Sequence, residues 1–380
     1  MSAAPSSLET NRTLCVFLLS IAILSFNLTR VPMMFDEGFY VQAARDFLAG
    51  TPTSNPQHPP LAKYLIAGSI RLFGDTPLGW RFASVLAGGL AAAAIFGITG
   101  QVSGKPRTAT VAWLLTVAGG FWFVMSRIAS LSIFDLAFEL AGVWFFVHAL
   151  QSASLKLYAL SGILLGLSVA SRWSGLIGLV SCVLVAFIER SRLRPAVVFV
   201  GTAFATYLVA WIPLFVREHR SLNGIVAANL YVFRYHHYAH VEPHFGEPWW
   251  TWIFRLEPKA SLAYLMGNPV VGVLGLFAVA ALLVHRFSEP QKGVSYIFSL
   301  LYLGHLGQWV VGVRPQTFYY YYFEAFAMLA PALALAMQSL KWRRIRADVV
   351  VTACALLFFA YWYPVWANLP EPFNTLTGAH

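Results

Sequence analysis

The chain has 380 residues, of which 58% are hydrophobic and 11% are charged, and its formal net charge is +10. A soluble domain carries about a quarter charged residues, so this composition excludes a soluble globular protein. The positive charge does not require a nucleic-acid partner, because membrane proteins collect lysine and arginine in their cytoplasmic loops.

Apolar segments of about 17–22 residues recur along the whole chain, which is the length that a helix needs to cross a bilayer. They predict eleven membrane helices, at 13–31, 81–101, 109–126, 130–149, 157–171, 174–189, 195–216, 263–284, 294–312, 319–340 and 349–366. The stretch 61–73 is too short to span and carries two basic residues, so an interfacial helix is predicted there. The fold class is therefore an all-α polytopic membrane protein with external juxtamembrane helices.

The basic clusters orient these helices. When the N-terminus is placed in the cytoplasm, every strongly basic loop faces the cytoplasm, as the positive-inside rule requires. These loops are 103–107, 154–156, 189–194, 285–292 and 341–346. The two long polar loops, 32–80 and 217–262, then face outside. Neither is long enough for a sizeable soluble domain, so residues 1–380 are predicted to form one transmembrane module in the cell membrane.

A smaller set of polar residues lies on the predicted outer face and is not explained by that rule. In the first loop they are Asp36 and Glu37 in FDEGFY, and His58 and Lys63 in HPPLAKYL. The others are Arg127, Asp135, Arg172 in SRWSG, the aromatic and histidine-rich stretch 233–258, and Arg314 before TFYYYYFE. Charges near a membrane boundary are costly unless they are paired or hydrated, so these are candidate functional groups. Three arginines on one face would suit a phosphate.

The adjacent carboxylates of Asp36 and Glu37 have two interpretations. Asp36 could cap a helix that begins at Glu37. Alternatively, one carboxylate is a general base that takes a proton from an acceptor hydroxyl. A sugar leaving from a lipid phosphate needs no general acid, whereas a glycoside hydrolase needs two carboxylates that flank the bond. One base and a cationic phosphate site would therefore suffice.

Structural alternatives stay open for the other residues. His58 and the two prolines after it could simply fix an extended entry to the interfacial helix, and Lys63 is expected to point to headgroup depth. Arg127 and Asp135 could form a structural pair, and Arg172 and Arg314 could extend to the lipid headgroups.

The second outer loop suggests a metal site only weakly. Its histidines and glutamates have loose spacing and no cysteine pairing, so no cofactor is firmly implied and a divalent metal stays open. The residues concerned are His236, His237, His240, His244, Glu242 and Glu247. The tryptophans Trp249, Trp250 and Trp252 fit a membrane-interface belt, and they would also suit stacking against a sugar.

Together these residues resemble the protein O-mannosyltransferase family of polyprenyl-phosphate-dependent GT-C glycosyltransferases, over nearly the whole chain. FDEGFY and HPPLAKYL look like the Asp-Glu and His-Pro-Pro-Leu-x-Lys motifs of the family. SRIASLSIFD, SRWSG, the stretch from YHHYAHVEPHFGEPWW to Gly-Asn-Pro, and RPQTFYYYYFEAFAMLAP are similar to later family segments, in the same order. Arg172 stands where the family usually has lysine, and a tyrosine stands where RPQTFYYYYFE would usually have histidine.

The resemblance implies that Asp36 is the base and that Glu37 helps to organise the substrate site. It makes Lys63, Arg127, Arg172 and Arg314 candidates for the lipid-phosphate site, with His58 near it. The same motifs carry the other substrate-binding candidates, Asp135, His244, Trp249, Arg255 and Tyr320. Eukaryotic members carry a soluble external domain in the long loop, which this chain lacks.

The function implied by the resemblance is an inverting transferase that moves a sugar, expected to be mannose, from a polyprenyl- or dolichyl-phosphate donor to a hydroxyl on the extracytoplasmic face. The acceptor would be serine or threonine of a protein, and a lipid or glycan acceptor is the alternative. A transporter of lipid-linked sugar and a non-catalytic lipid-binding subunit are the rivals from other classes, although no repeat of the kind common in transporters is visible. The sequence leaves monomer or dimer open.

Overall fold

A computed structural model describes residues 7–190, 193–238, 247–253, 255, 265–288, 293–311, 317–339 and 346–369. The regular elements in this part of the chain are helices. The first nine are α1 (Ser7–Ser25), α2 (Glu37–Ala49), α3 (Leu61–Phe73), α4 (Pro77–Ser103), α5 (Pro106–Val117), α6 (Gly120–Met125), α7 (Leu131–Ser152), α8 (Leu155–Ser171) and α9 (Leu176–Ile188). The next nine are α10 (Leu193–Val209), α11 (Ile212–Arg217), α12 (Gly224–Tyr238), α13 (Trp249–Ile253), α14 (Pro269–Ser288), α15 (Ile297–Val311), α16 (Phe323–Ala327), α17 (Leu329–Ser339) and α18 (Ala347–Trp366).

Seven helical stretches in the described residues are long and apolar enough to cross a membrane. They are Leu8–Ser25, Pro77–Ser103, Leu131–Ser152, Leu193–Arg217, Val294–Val311, Tyr319–Gln338 and Ala347–Trp366. Three shorter apolar helices accompany them, at Leu155–Ser171, Trp173–Ile188 and Pro269–Val284. The prediction of an all-helical polytopic protein is therefore confirmed, and each predicted apolar segment coincides with a helix or with a broken pair of helices.

The structure differs from the prediction mainly at helix ends and breaks. α1 ends at Ser25 rather than at residue 31, and a short 3₁₀ turn, Leu28–Arg30, follows it. The predicted helix 109–126 breaks between α5 and α6, where Gly119 is extended. The predicted helix 195–216 breaks between α10 and α11, because Pro213 lies in the first turn of α11 and has no N–H to continue the helix.

Three membrane-length stretches are the most buried in the described part of the chain. The window within Tyr319–Gln338, which contains α16 and most of α17, is 94% buried, and those of α4 and α7 are each 72% buried, whereas those of α1 and α18 are 17% buried. α4, α7 and the α16–α17 stretch therefore form the centre of the bundle, and α1 and α18 leave most of their surface to lipid. The central helices have small residues at their contacts, which let helix backbones approach closely where lipid offers no hydrophobic driving force.

The short helices α2 and α3 connect the ends of α1 and α4. α3 packs on both α2 and α4, and its buried face is formed by Ala62, Ile66, Ala67 and Ile70. Apolar residues at positions i, i+4, i+5 and i+8 form one stripe on a helix, which explains why this segment lies against the bundle although it is too short to span. These two helices carry the Asp-Glu and His-Pro-Pro motifs to the same end of the bundle.

The contact between α8 and α10 gives a test of this packing. A Cβ on Gly162 would lie 2.3 Å from the carbonyl oxygen of Phe199, whereas a Cβ on Gly201 of α10 meets nothing within 4 Å. Gly162→Ala is expected to lower the free energy of unfolding by about 1–3 kcal/mol, because backbone must move to admit the methyl group. Thermal unfolding in detergent would measure this effect, with Gly201→Ala as the matched control. Equal stability of the two variants would contradict the packing described.

Candidate active site

A cavity at the N-terminal end of α2 brings five of the predicted site residues together. Its volume is about 10 Å³, which is room for about one water molecule. The predicted residues in its wall are Asp36, Glu37, His58, Arg172 and Tyr320. The rest of the wall is formed by Phe35, Tyr40, Met125, Ile128, Ser130, Ser132 and Tyr321. Residues that are far apart in the sequence therefore share one polar cavity with aromatic walls.

Asp36 is held in this cavity by two tyrosines. It occupies the N-cap position of α2, but its side chain does not cap the helix. Its Oδ2 atom instead accepts hydrogen bonds from the hydroxyls of Tyr320, at 3.0 Å, and Tyr40, at 3.3 Å. Burial raises the pKa of Tyr40 and the Asp36 carboxylate raises it further, so this hydroxyl keeps its proton and donates. The described residues place no hydrogen-bond donor on Oδ1 of Asp36, which leaves that oxygen for a substrate.

The backbone just before Asp36 is strained. Phe35 has a φ of 52°, in the left-handed region that non-glycine residues avoid. Such a conformation costs on the order of 1–3 kcal/mol and persists only where the surroundings enforce it. The ring of Phe35 lies 4.9 Å from that of Tyr320, between ring centroids. The strained turn therefore places Asp36 beside the tyrosine that holds it.

Glu37 forms a buried ion pair with Arg81. Its two carboxylate oxygens accept hydrogen bonds from Nε and Nη2 of Arg81, each at 2.7 Å, and Oε1 also accepts from the backbone N–H of Ala129 at 2.9 Å. The side chains of Arg81 and Glu37 are 1% and 0% exposed. The remaining donors of Arg81 bind the backbone carbonyls of Leu28, Val31 and Pro32. Glu37 thus anchors the turn that presents Asp36.

Arg172 supplies the positive charge of the cavity. It lies in the connection between α8 and α9, where it has an extended backbone. Its Nη1 donates to the Ser132 hydroxyl at 2.9 Å and to Glu324 Oε1 at 2.5 Å, and its guanidinium lies 5.1 Å from the ring centroid of Tyr321. The side chain of Arg172 is 11% exposed and that of Glu324 is 1% exposed. The alternative that Arg172 extends to lipid headgroups is therefore wrong.

Lys63 supports the loop that carries His58. Its buried ammonium group donates to the backbone carbonyls of Asn55, at 2.5 Å, and His58, at 2.9 Å. The expectation that Lys63 points to headgroup depth is therefore wrong, because the carbonyls at the end of this loop turn inward. The ring centroid of His58 lies 6.0 Å from that of Tyr40 and 4.9 Å from that of His236 on α12.

Several predicted site residues lie away from this cavity. Arg127 donates to the carbonyls of Phe26 and Trp366, and Asp135 accepts hydrogen bonds from Ser168 and Ser174, so these two do not pair with each other. Arg255 forms an ion pair with Glu247 and lies over the ring of Tyr319. Trp249 packs against the edge of the core. His244 and Arg314 lie outside the described residues.

The sequence analysis did not identify Arg81, Tyr40, Ser132 or Glu324 as parts of the site. Arg81 stands at the predicted start of a membrane helix, where an arginine ordinarily reaches toward headgroups. Glu324 follows a run of four tyrosines and carries no spacing signal. Among the described residues no group of three or more histidine, cysteine or acidic side chains could hold a metal ion. His240 and His244, which raised that question, lie outside them.

The anchoring role of Arg81 is testable by substitution. Arg81→Gln leaves Glu37 buried without its cation, which is expected to lower the free energy of unfolding by about 3–5 kcal/mol. Arg45→Gln is the matched control, because the Arg45–Asp75 pair is 39% and 46% exposed and an exposed pair contributes about 0–1 kcal/mol. Thermal unfolding of both variants in detergent would measure these losses. A similar small loss of stability in each variant would contradict the anchoring role of Arg81.

Lys63 predicts a pH dependence of stability. Burial lowers its pKa from 10.5 to about 7, against an opposing effect of Glu218. Between these two values the unfolded chain binds more protons than the folded one, so the Lys63 contribution to stability rises as pH increases through this range. Lys63→Met is expected to flatten the pH dependence of thermal unfolding above pH 7, whereas Lys105→Met, at an exposed lysine, should keep the wild-type slope. An unchanged slope in Lys63→Met would contradict this assignment.

Known proteins match both the sequence and the fold. Residues 57–214 match the family model described as dolichyl-phosphate-mannose-protein mannosyltransferase. A polyprenol-phosphate-mannose–protein mannosyltransferase of Corynebacterium glutamicum is 33% identical over 178 residues, which are 38% of this chain and 34% of that protein. The protein of the same name from Mycolicibacterium smegmatis is 24% identical over 441 aligned positions, covering 89% of this chain and 84% of that one.

Two solved structures show the same fold. The Saccharomyces cerevisiae protein O-mannosyltransferase Pmt1-Pmt2 complex, bound to its sugar donor, matches with a TM-score of 0.84 at 12% identity, over 99% of this chain and 92% of the matched chain. ArnT from Cupriavidus metallidurans, bound to undecaprenyl phosphate, matches with a TM-score of 0.63 at 17% identity, over 97% and 67%. The chain is a multi-pass integral membrane protein with the GT-C fold, and its sequence is similar to those of dolichyl- and polyprenyl-phosphate-mannose protein mannosyltransferases.

Proposed function

We propose that this protein is a polyprenol-phosphate-mannose-dependent protein O-mannosyltransferase and that Asp36 is its general base. The observation that carries the proposal is the cavity in which Asp36, oriented by Tyr40 and Tyr320, shares a wall with the cation Arg172. Relatives that cover most of the chain are named for the same donor and for a protein acceptor. Transfer would thus use a base and a phosphate-binding cation in one cavity.

The reaction is a single displacement. Oδ1 of Asp36 takes the proton of a serine or threonine hydroxyl, and the hydroxyl oxygen attacks the anomeric carbon of mannose. The bond between that carbon and the phosphate oxygen breaks, and polyprenyl phosphate leaves with the bonding electrons. Because the attack comes from the face opposite the phosphate, the anomeric configuration inverts. The leaving phosphate needs no proton, so a single carboxylate is sufficient.

Arg172 is the group that would stabilise the leaving phosphate. A charge-assisted hydrogen bond from arginine is short and strong, and it gains further strength in an enclosed cavity with little water. Ser132 and the Tyr321 ring hold the guanidinium at the cavity wall. His58, in the same wall, is suited to bind the sugar or the phosphate. Lys63 holds the backbone of the loop that carries His58, and Glu37, in the cavity wall, holds the turn that presents Asp36.

The orientation of the protein follows from its charges. We infer that all eleven apolar regions cross the membrane, including the shorter helices α8, α9 and α14 and the broken pair α5 and α6. Basic residues then gather at the cytoplasmic ends, in the loops that precede α5, α10 and α18. The loops 32–80 and 217–262 lie outside, so the cavity opens on the extracytoplasmic face, as a protein acceptor emerging from the membrane would require.

The direct test is mannosyl transfer by the purified protein from polyprenyl-phosphate-mannose to a peptide rich in serine and threonine. Asp36→Asn is expected to slow transfer by about 100-fold or more, because general base catalysis contributes roughly that much, while donor binding persists. Asp75→Asn is the matched control, since Asp75 binds Arg45 and Trp80 at the surface. Transfer by Asp36→Asn at the wild-type rate would contradict the assignment of Asp36 as the base. Donor binding without any transfer by the wild type would favour a non-catalytic binding protein.

A further inference from the structure

The cation of the cavity is shared with a carboxylate that the cavity does not contain. Arg172 lines the cavity, while Glu324, at the start of α16, lies behind it and is 1% exposed. Their contact, at 2.5 Å, joins Nη1 of Arg172 to Oε1 of Glu324. Nε and Nη2 of Arg172 have no hydrogen bond to a described residue. Glu324 therefore binds Nη1 from outside the cavity, and Nε and Nη2 are left for a ligand.

Glu324 depends on Arg172 for its neutralisation. Three other ionisable side chains of this buried region lie on α7 and α15, which both contact α16. His305 of α15 is bound to Glu139 of α7 at 2.8 Å, so these two side chains are already engaged with each other. Asp135, also on α7, accepts hydrogen bonds from two serine hydroxyls. The Oε2 atom of Glu324 has no hydrogen-bond partner among the described residues.

We propose that Glu324 is a positioning residue that lowers the affinity of Arg172 for the carrier phosphate. It would thereby permit release of the product, polyprenyl phosphate. This inference rests on the proposed function. A phosphate at Arg172 would be the second anion on one guanidinium, and Glu324 would repel it across that group. In a cavity shielded from water such repulsion is strong, since few solvent dipoles screen it. Glu324 thus sets both the direction of Arg172 and the affinity of the site for anions.

The alternative role for Glu324 is purely structural. In that case it neutralises a buried arginine and its loss only destabilises the fold. The two roles differ in their effect on phosphate affinity. A structural residue leaves the affinity of the folded fraction unchanged or lowers it, whereas the positioning role makes the affinity rise when the carboxylate charge is removed.

The experiment measures binding of undecaprenyl phosphate to purified protein in detergent. Glu324→Gln keeps an oxygen that accepts from Arg172 but removes the charge, so its dissociation constant is expected to fall by about tenfold. In steady-state transfer, KM for the mannosyl donor and kcat should then fall together, because the product leaves more slowly. An unchanged or higher dissociation constant would overturn the proposal.

Two further variants complete the test. Glu324→Asp moves the carboxylate away from Arg172, and its affinity for undecaprenyl phosphate is expected to lie between those of the wild type and Glu324→Gln. This variant decides the question if Glu324→Gln does not fold. Wild-type or weaker binding by Glu324→Asp would then overturn the proposal. Glu139→Gln removes a buried carboxylate that is paired with His305 instead, so its affinity should stay within about threefold of wild type. A wild type that neither binds undecaprenyl phosphate nor transfers mannose would refute the proposed function itself.

Discussion

The buried ion pair between Glu37 and Arg81 is the constraint on which the site depends. Moving two charges out of water is costly, and the cost is recovered only where geometry is good and every donor finds an acceptor. Arg81 meets this condition because its remaining donors bind the carbonyls of Leu28, Val31 and Pro32. The same guanidinium thus binds α2 and the turn that follows α1 to the N-terminal part of α4. The strained φ of Phe35 is the local conformational cost of joining these three segments.

Two adjacent carboxylates acquire different roles through this pair. Consecutive residues at the start of a helix point about 100° apart, so Asp36 cannot follow Glu37 into the bundle. Glu37 is buried and saturated, whereas Asp36 enters the cavity, where Tyr40 and Tyr320 occupy one of its oxygens. The base role proposed for Asp36 requires one such free oxygen and a fixed direction. The ion pair of the neighbouring Glu37 with Arg81 fixes that direction.

The sequence predicted which segments lie in the membrane better than it predicted which side chains bind each other. Hydropathy located the apolar helices, because burial in lipid acts on whole segments of about twenty residues. The gathering of Asp36, His58, Arg172 and Tyr320 was also expected, through the resemblance of their motifs. The roles of Lys63 and Arg81 were not expected. A basic side chain near a membrane boundary can reach the lipid headgroups or bind carbonyl groups inside the bundle, and the choice depends on loop geometry that residue spacing does not encode. Glu324 was missed for the same reason: its partner is 152 positions away.

The charges of the cavity bear on why its cation would be restrained. In the proposed reaction the Asp36 carboxylate and the donor phosphate would be two anions in one cavity, and a cation close to both would offset their repulsion. Arg172 provides that cation in the same wall. A guanidinium free of counter-charge, however, would hold the departing phosphate as firmly as the arriving donor, and binding the ground state or the product tightly does not raise turnover. In the proposed reaction, sharing Arg172 with the buried Glu324 would let the cavity neutralise the phosphate during transfer and still release it afterwards.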